Sequence, residues 1–274
     1  MEAAERDKAR RQIEEEFNAD VTYEVVRHAG QHELERTTSA LAWSGFAAGL
    51  SMACSLLVQA LLESHLPEAG WAPLVVKLGY PVGFLIVILA SQQLYTENTL
   101  TAVVPVLADR GMPWIERIRR VGRVWAVVLV ANLAGAHVAA WVAARTTAFD
   151  PPVRDAFAAI GRQAMGDRFP TMLLQAVIAG WLIALMVWML PAAKHAKVPV
   201  IFAITWIVGA AGLPHIIAGS VDVLYLVWRG EIPWTSYAGR YLVPALLGNT
   251  IGGTLLVAAL NHAQVTADKQ RGAT

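Results

Sequence analysis

The stretch Gly209–Asp222, GAAGLPHIIAGSVD, interrupts an apolar run that begins near Val198. Where an unbroken membrane helix would carry leucines, it carries glycines, Pro214 and His215. Proline removes a backbone donor and clashes with the preceding turn, and glycine weakens the helix further. In hydrocarbon, freed backbone groups are tolerated only where they face protein or a water-filled cavity, and an ionisable side chain there marks a pathway or a satisfied polar contact. The stretch therefore predicts a broken membrane helix with a histidine at the break.

The composition of the whole chain is typical of a polytopic membrane protein. Of its 274 residues, 56% are hydrophobic and 16% are charged, whereas average soluble domains carry about 25% charged residues. The mean hydropathy is +0.46. Charges are concentrated in residues 1–36, and the net charge of +1 comes without a basic patch interleaved with aromatics, so no nucleic-acid partner is indicated. The single cysteine, Cys54, excludes a disulfide within the chain.

Six hydrophobic segments follow the charged N-terminal region. Each offers the ~20 residues needed to cross a hydrocarbon core of ~30 Å, the second only together with its continuation. In chain order they are Ser39–Leu62, Pro73–Ala90 with a continuation to Leu107, Val121–Ala144, Pro170–Leu190, Val198–Trp228 and Tyr241–Leu260. The predicted fold is an all-α integral membrane protein with six transmembrane helices. Its predicted domains are a charged N-terminal helix over 1–36, a channel or transporter domain over 37–262 and a tail over 263–274.

The distribution of lysine and arginine predicts the orientation in the membrane. An even number of spans places both termini on one side, and that side then holds fifteen of the 22 basic residues while the other holds seven. Short loops rich in lysine and arginine face the cytoplasm. Both termini are therefore predicted to be cytoplasmic.

The N-terminal region also contains His28 and His32, four positions apart, with Glu33 beside them. The zinc-protease pattern needs a glutamate directly after the first histidine, and Ala29 occupies that place. The region is therefore predicted to present a solvated helix face, and no metal is expected.

A second interruption lies in the second span, where Ser91–Thr99 reads SQQLYTENT. The two interrupted spans are the middle spans of two three-helix halves. Because each half has three spans, the two halves have opposite orientations in the membrane. Interrupted helices at matching positions of two halves are the best sequence pointer to a midplane site between inverted repeats. The sequence therefore predicts two inverted three-helix repeats with broken helices 2 and 5.

Four landmarks within about Glu35–His262 resemble the formate/nitrite transporter family. Gln93–Thr99, QLYTENT, resembles the family block E-L-F-T-G-N-T, and Leu213–His215 falls at its F-E-H. Gly180–Met189, GWLIALMVWM, is similar to N-W-L-V-C-L-A-V-W-M. Leu242–Gly253, LVPALLGNTIGG, is similar to L-I-P-V-T-L-G-N-I-I-G-G.

The chain departs from the family pattern at several of these landmarks, which is typical of a divergent branch. Gln93 and Pro214 each replace a glutamate, Glu97 replaces a glycine and Gly180 replaces an asparagine. The resemblance implies an aquaporin-like protomer with its own pore, assembled as a homopentamer in the lipid bilayer of a bacterial inner membrane. It implies a non-enzymatic protein without cofactors whose substrates are small monovalent anions of weak acids, such as formate, nitrite and hydrosulfide.

His215 and Thr96 are the predicted centre of the pathway. Burial disfavours the imidazolium, so His215 is expected to be neutral and able to donate a hydrogen bond to an anion. The resemblance implies a proton relay at His215 that would turn a carboxylate into a neutral acid, which crosses an apolar constriction more cheaply. The alternatives are a histidine satisfied by backbone groups and a threonine whose hydroxyl stabilises its loop rather than donating to substrate or to His215.

The remaining pathway candidates surround this centre. A constriction is expected at Leu94 and Tyr95, whereas Asn98 and Asn249 are expected to tie down loop backbone rather than touch substrate. A carboxylate at Glu97 would repel an anion unless it is protonated or paired, with His215 as one candidate partner; it could instead face a protein interface. The predicted substrate pathway therefore comprises His215, Thr96, Leu94, Tyr95, Glu97, Asn98 and Asn249.

Two other functions stay open from the sequence. One is an aquaporin-like pore for neutral solutes; the other is a membrane enzyme or metal-binding protein using His137, His215 and Asp222, although no two of these have ligand-like spacing. His137 is expected to make a hydrogen bond between helices rather than to form a second site. Asp222 is expected near the outer vestibule, paired with Arg229 or Arg240.

Overall fold

The computed structural model describes residues 19–109 and 111–260, so residues 1–18 and the predicted tail over 263–274 lie outside it. All regular structure in the described residues is helical. The first half contains α1 Ala19–Glu35, α2 Thr38–His65, α3 Ala72–Val76, α4 Pro81–Leu89, α5 Tyr95–Thr101, α6 Val103–Ala108 and α7 Trp114–Arg145. The second half contains α8 Pro151–Ala164, α9 Phe169–Ala193, α10 Lys197–Ala210, α11 Ala218–Arg229, α12 Trp234–Ser236 and α13 Val243–Ile251. Short 3-10 turns cover Lys77–Gly79 and Lys194–Ala196, and π-helices cover Tyr237–Leu242 and Gly252–Ala259.

Four helical runs of the described chain are long and apolar enough to cross a membrane. They are Thr38–His65, Ala72–Leu89, Trp114–Arg145 and Phe169–Ala210. The last run has 42 residues and contains both α9 and α10, which is about twice the length of one crossing. The half-helices α5 and α11, with 7 and 12 residues, are each too short to cross alone.

The third predicted span begins earlier than its apolar residues indicate. α7 starts at Trp114 rather than Val121, so its first two turns carry basic side chains. Arg123, near this end of α7, donates from its guanidinium to the carbonyls of Leu34 at 2.6 Å and Arg36 at 2.9 Å. A cation that bonds the last carbonyls of a helix also complements the negative end of its dipole. Arg123 thereby fastens the C-terminal end of α1 to α7.

The first break is shorter than the predicted Ser91–Thr99. α4 ends at Leu89 and α5 begins at Tyr95, so only residues 90–94 are non-helical. The polar residues that indicated a loop are compatible with a helix, and an acidic side chain such as Glu97 in the first turn favours a helix N-terminus. Thr96 and Asn98 therefore lie in the first turn of α5 and not in the break.

α1 is solvated on one side only. His28 and His32 are exposed, as predicted for a solvated face. On the opposite side Tyr23, Val26 and Leu34 are buried, and the Tyr23 ring meets the Trp188 ring edge-on at 6.4 Å between centroids. The N-terminal helix is therefore docked onto the membrane helices.

In each half, the first long helix packs against the last one at a glycine, where the two backbones approach too closely for a side chain to fit between them. α2 packs on α7, where a Cβ added to Gly49 would lie 2.1 Å from the carbonyl oxygen of Asn132. α9 packs on α13, where a Cβ on Gly180 would lie 2.3 Å from the carbonyl oxygen of Asn249. The half-helices cross between halves: α11 packs on α7, and α5 packs on α9 and on the helix Gly252–Ala259. This exchange brings the two breaks together at the centre of the protein.

Large apolar side chains cover the outside of the bundle. Trp43, Val130 and Leu174 are 75%, 67% and 67% exposed. In water such a surface would be unfavourable, whereas hydrocarbon or a neighbouring membrane helix accommodates it. The exterior therefore suits a bilayer.

The glycine contacts generate a prediction on stability. Gly49→Ala and Gly180→Ala should each destabilise the protein, because overpacking of this kind costs about 1–3 kcal/mol. The thermal midpoint of detergent-solubilised protein, measured by tryptophan fluorescence and size-exclusion chromatography, checks this. Gly122→Ala on α7 is the control, since a Cβ added at Gly122 would have nothing within 4 Å. Equal midpoints for all three variants would contradict the packing argument.

Candidate functional site

The two breaks use the same backbone geometry, 121 positions apart. Ser91 and Gly212 follow the first half-helices with φ values of 53° and 64°. The amides of Gln92 and Leu213 each donate to the carbonyl five residues earlier, at 2.9 and 3.0 Å. Glycine adopts positive φ without steric cost, whereas a serine there is uncommon. Both half-helices that enter the centre therefore end with the same left-handed turn.

Asn132 on α7 holds the first break. Its Oδ1 accepts the amide of Tyr95 at 2.9 Å, and its Nδ2 donates to the carbonyls of Gln93 and Gly45, both at 2.8 Å. The side chain is fully buried. One asparagine thus satisfies backbone groups on both sides of Leu94 and links them to α2.

Asn249 on α13 does the same for the second break. Its Oδ1 accepts the amide of Ile216 at 2.8 Å, and its Nδ2 donates to the carbonyls of Pro214 at 2.9 Å and Ala176 at 2.8 Å. The bonded positions in the break again lie 121 positions after those of the first half. The contact of Asn249 is with backbone, as expected from the sequence, and the third partner lies on α9, the first long helix of its half.

His215, in the second break, and Thr96, directly after the first break, are in contact. His215 Nε2 lies 2.8 Å from Thr96 Oγ1, and the two side chains are 1% and 0% exposed. Thr96 belongs to the first half and His215 to the second. The contact therefore depends on the meeting of the two halves.

The hydrogen bonds of His215 assign its tautomer. The amide of Ala218 donates to Nδ1 at 3.2 Å, and because a backbone amide can only donate, Nδ1 carries no proton. In the neutral imidazole the proton is then on Nε2 and points at Thr96 Oγ1, which accepts it. Within the described residues, Thr96 Oγ1 has no other hydrogen-bond partner, so its hydroxyl proton is available for a ligand.

Aromatic side chains fix the position of His215. The Phe84 ring meets the imidazole edge-on, with 4.9 Å between centroids. The Tyr241 hydroxyl donates to the His215 carbonyl at 3.0 Å. This approach requires Gly219, because a Cβ there would lie 1.7 Å from the Tyr241 hydroxyl oxygen.

Leu94 and Tyr95, the expected constriction, are 1% and 3% exposed. The Tyr95 hydroxyl oxygen lies 2.8 Å from Thr250 Oγ1, and its ring centroid is 6.1 Å from that of Trp125. The hydroxyl of Tyr95 is therefore hydrogen-bonded within the protein.

A polar cluster closes the end of this region nearest α1, and we call Glu33, Gln93, Glu97, Asn98 and Thr101 the proximal cluster. Asn98 Nδ2 donates to Glu33 Oε2 at 2.8 Å and to Gln93 Oε1 at 3.0 Å. Thr101 Oγ1 donates to Glu33 Oε2 at 2.5 Å. The Asn98 side chain thus contacts other side chains rather than loop backbone, because α5 has already begun and its own amide bonds within the helix.

Glu97 makes no hydrogen bond with His215 among the residues that the structure describes. Its Oε1 is buried without a partner there, and the Glu33 carboxylate acts on it electrostatically. Burial raises the pKa of Glu33 above the usual glutamate value, against the opposing effect of its hydrogen bonds from Thr101 and Asn98. Two carboxyl groups therefore share the proximal cluster.

A cavity opens on the other side of His215, and we call it the distal cavity. Its polar lining comprises Gln59, Lys77, Tyr80, Gln163, His215, Asp222 and Tyr241. α2 begins at Thr38, directly after α1, and Gln59 lies 21 residues further, a rise of about 32 Å. The distal cavity therefore faces the side of the membrane opposite α1.

Two expectations about charged or polar partners are wrong. Asp222 has no ion pair with Arg229 or Arg240 in the described chain, and the Arg229 guanidinium instead lies 3.8 Å from the Glu231 carboxylate. His137 makes no interhelical hydrogen bond among the described residues. Its ring stacks on the Trp234 indole at 5.4 Å between centroids, because α12 folds back over α7. No group of three His, Cys, Asp or Glu within residues 19–109 and 111–260 could hold a metal ion.

The sequence interpretation missed three residues that the structure brings to the centre. Asn132 carried a usable signal, because it is an isolated polar residue in the apolar run VVLVANLAGA. Glu33 carried none, since it lies among many charged residues of the N-terminal region. Lys77 was counted only as a basic residue near the end of a span, and its place in the distal cavity depends on Gln59 and Gln163 from other helices.

Broken helices with satisfied backbone that meet at a buried polar pair are features of membrane channels and transporters. The sequence profile described as "Formate/nitrite transporter" matches residues 20–263. The chain belongs to this family, whose members are channels and transporters and not enzymes.

Individual relatives agree with this assignment. The chain is 43% identical over 246 residues to the inner membrane protein YfdC of Escherichia coli, covering 90% of this chain and 78% of that protein. It is 24% identical to the formate channel BtFdhC of Bacillus thuringiensis, covering 84% of this chain and 88% of that one. A solved pentameric formate channel with formate bound superimposes with a TM-score of 0.68 at 19% identity, over 81% of this chain and 95% of that one. The all-helical fold is therefore that of known channels of this family.

The asparagine contacts generate a second prediction. Asn132→Ala and Asn249→Ala should each lower stability by about 2–4 kcal/mol, because each leaves the buried amide and carbonyl that the asparagine bonds in its break without a partner. Chemical denaturation in detergent measures this. Thr205→Val is the control, since the Thr205 hydroxyl bonds a carbonyl within its own helix at 2.7 Å. A loss in the asparagine variants no larger than in the control would refute the role assigned to them.

The position of Glu33 generates a third prediction. Because the pKa of Glu33 is raised when α1 is docked, the docked state binds more protons than the released state. Docking should then be strongest at low pH and weaken as pH rises through the raised value. Hydrogen exchange of α1, corrected for intrinsic rates, should show protection that falls with pH. Glu33→Gln should remove that trend, whereas Glu35→Gln, at an exposed position, should keep it.

Proposed function

We propose that the protein is a channel or proton-linked transporter for small monovalent anions of weak acids, such as formate or nitrite. The observation that carries the proposal is the His215–Thr96 pair, which is buried between two broken helices, with His215 lining a cavity that also contains Lys77. In this assignment Thr96 donates a hydrogen bond from its free hydroxyl to the substrate, and His215 donates a hydrogen bond to Thr96. A buried donor pair in a water-poor site can replace part of the hydration that an anion loses.

The proposal includes the finer architecture. Six spans in two inverted three-helix repeats account for the common geometry of the two breaks and for their asparagines. The broken helices place the site at the midplane, as in other proteins built of inverted repeats. With six spans and the predicted excess of basic residues on one side, both termini lie in the cytoplasm and the distal cavity faces outward. The membrane domain then extends over 37–262, with the charged region 1–36 and the tail 263–274 on the cytoplasmic side.

The assembly proposed is a homopentamer in the bacterial inner membrane. The apolar exterior with Trp43 and Val130 supplies surface for lipid and for neighbouring protomers. The fold match to a pentameric formate channel supports this assembly. Each protomer would conduct through its own centre, because His215 and Thr96 belong to the same chain.

The proton relay at His215 has a structural condition. The Ala218 amide occupies Nδ1, so an imidazolium could form only if this hydrogen bond broke. The tautomer therefore favours His215 as a hydrogen-bond donor, and we propose another group as the source of any accompanying proton. The remaining pathway residues are assigned by their places: Leu94 and Tyr95 narrow the path, Asn249 supports the break, and Glu97 with Asn98 lines the proximal end.

The carboxyl groups of Glu97 and Asp222 favour one alternative, a pore for neutral solutes. A fixed carboxylate near the path repels anions but not uncharged molecules. Uptake of glycerol that exceeds that of protein-free vesicles, with no uptake of formate or nitrite, would support this alternative over anion transport.

The proposal generates a fourth prediction. In proteoliposomes, Thr96→Val should reduce formate uptake about tenfold, because it removes one hydrogen-bond donor worth about 1.4 kcal/mol at the centre. Thr96→Ser should restore most of the rate. Thr205→Val, which changes a buried threonine away from the centre, should leave uptake unchanged. Full activity of Thr96→Val, or no uptake of any weak-acid anion by the folded wild type, would reject the proposed function.

A further inference from the structure

The distal cavity holds two charged side chains that the His215–Thr96 centre does not use. Lys77, from the 3-10 turn before α4, and Asp222, from α11, line it together, and His215 lies at its floor. A ligand in this cavity would therefore meet a cation and a carboxyl group before it reached the histidine.

Lys77 is held in place by uncharged partners. Its Nζ donates to Gln59 Oε1 at 3.0 Å and lies 3.5 Å from Gln163 Oε1. Gln59 is 1% exposed, and its Nε2 donates to the Ser55 carbonyl at 3.1 Å, which fixes its oxygen toward the lysine. An ammonium has three N–H donors, so one remains for a ligand, and its charge is not cancelled by direct contact with a carboxylate of the described chain.

Asp222 is the complementary group. Its side chain is only 7% exposed, yet in the described chain it makes no hydrogen bond and no ion pair within 4 Å. A nine-tenths buried carboxyl without a partner that lines a cavity is costly unless something occupies the cavity or a proton neutralises it. The other ionisable groups that act on this pair are Tyr80 and Tyr241 beside Asp222, and Glu63 beside Lys77.

An anion bound to Lys77 and a proton bound to Asp222 affect each other's binding. An anion that bonds Lys77 brings a second negative charge close to Asp222, and like charges in a poorly solvated site favour the protonated form of a carboxyl. A protonated Asp222 is a hydrogen-bond donor and no longer repels the anion. Anion and proton therefore favour each other's binding in the distal cavity.

We propose that the distal cavity is a loading site in which a weak-acid anion on Lys77 and a proton on Asp222 bind together. The inference rests on the proposed function and adds the source of the proton that His215, with Nδ1 occupied, does not provide. In the transfer step, the O–H bond of Asp222 breaks and an O–H bond forms on the substrate anion. The products are ionised Asp222 and the neutral acid, and Asp222 regains its proton from the solution on the distal side.

The neutral acid is then the form that meets the centre. Its carbonyl oxygen accepts the hydrogen bond that Thr96 has free, while the acid carries no charge across the surrounding apolar side chains. For nitrite the nitrogen–oxygen group takes the same place. The loading site therefore selects anions that can be protonated and discriminates against those of strong acids such as chloride.

The test is the pH dependence of KM for formate uptake in proteoliposomes. The pH is set equal on both sides, so that the orientation of the protein in the vesicle does not matter. For the wild type, KM should rise with pH, up to about tenfold per pH unit where binding requires one proton. Asp222→Asn mimics the neutral carboxyl, so its KM should be independent of pH while its maximal rate falls, because the amide cannot deliver a proton. Lys77→Met should raise KM at least about tenfold at every pH.

Asp155→Asn is the matched control. Asp155 is an exposed acid on α8, on the same side of the protein, and this variant should keep the wild-type profile. Each variant is first shown to elute as the wild-type oligomer on size-exclusion chromatography, and Asp222→Glu, which keeps a carboxyl, should retain a rise of KM with pH.

The outcomes separate the two proposals. If formate uptake depends on Thr96 but Asp222→Asn keeps the wild-type pH profile of KM, the loading site is wrong and the proposed function stands. If Lys77→Met leaves KM unchanged, the loading site is likewise wrong. If the folded wild type takes up no weak-acid anion, both proposals fail.

Discussion

A broken helix can persist in hydrocarbon only if the backbone groups that it frees find partners within the protein. In this chain two asparagines meet that requirement. Asn132 and Asn249 each bond one amide and two carbonyls, and each spans its break and the first long helix of its half. An amide side chain suits this task because it offers both a donor group and an acceptor without bringing a charge. Every other feature of the centre depends on the chain being held open at these two places.

The polar centre forms because the half-helix after each break packs against the other half of the protein. Because α5 packs on the second half and α11 on the first, Thr96 and His215 approach from opposite sides and meet at 2.8 Å. The amide of Ala218 then fixes the tautomer of His215. The histidine therefore serves as the acceptor for the first turn of α11 and as a donor toward the threonine. The proton position on His215 is set by the first amide of α11, so the hydrogen-bonding chemistry of the site depends on the geometry of the break.

Carboxyl groups lie on both sides of this centre, at Glu33 and Glu97 near α1 and at Asp222 in the distal cavity. Fixed negative charges oppose the passage of an anion, so a path that carries them is compatible with anion transport only when they are protonated or compensated. Thr101 and Asn98 donate hydrogen bonds to Glu33, while the Lys77 ammonium acts electrostatically on Asp222. This distribution of charge is the structural basis for proposing that protons accompany the substrate.

The sequence determined the class of the protein, because hydrophobic runs of membrane length and prolines or polar blocks within them follow from local composition. It also indicated His215 and Thr96, since a histidine beside a proline in an apolar run has few structural roles. Only the tertiary structure decided where the first break ends, because SQQLYTENT is compatible with both loop and helix until α5 has partners to pack against. It also decided which groups meet: Glu33 with Asn98, and Lys77 with Gln59 and Gln163, come from helices far apart in the chain. Those contacts depend on distances between helices, and no local pattern of residues specifies them.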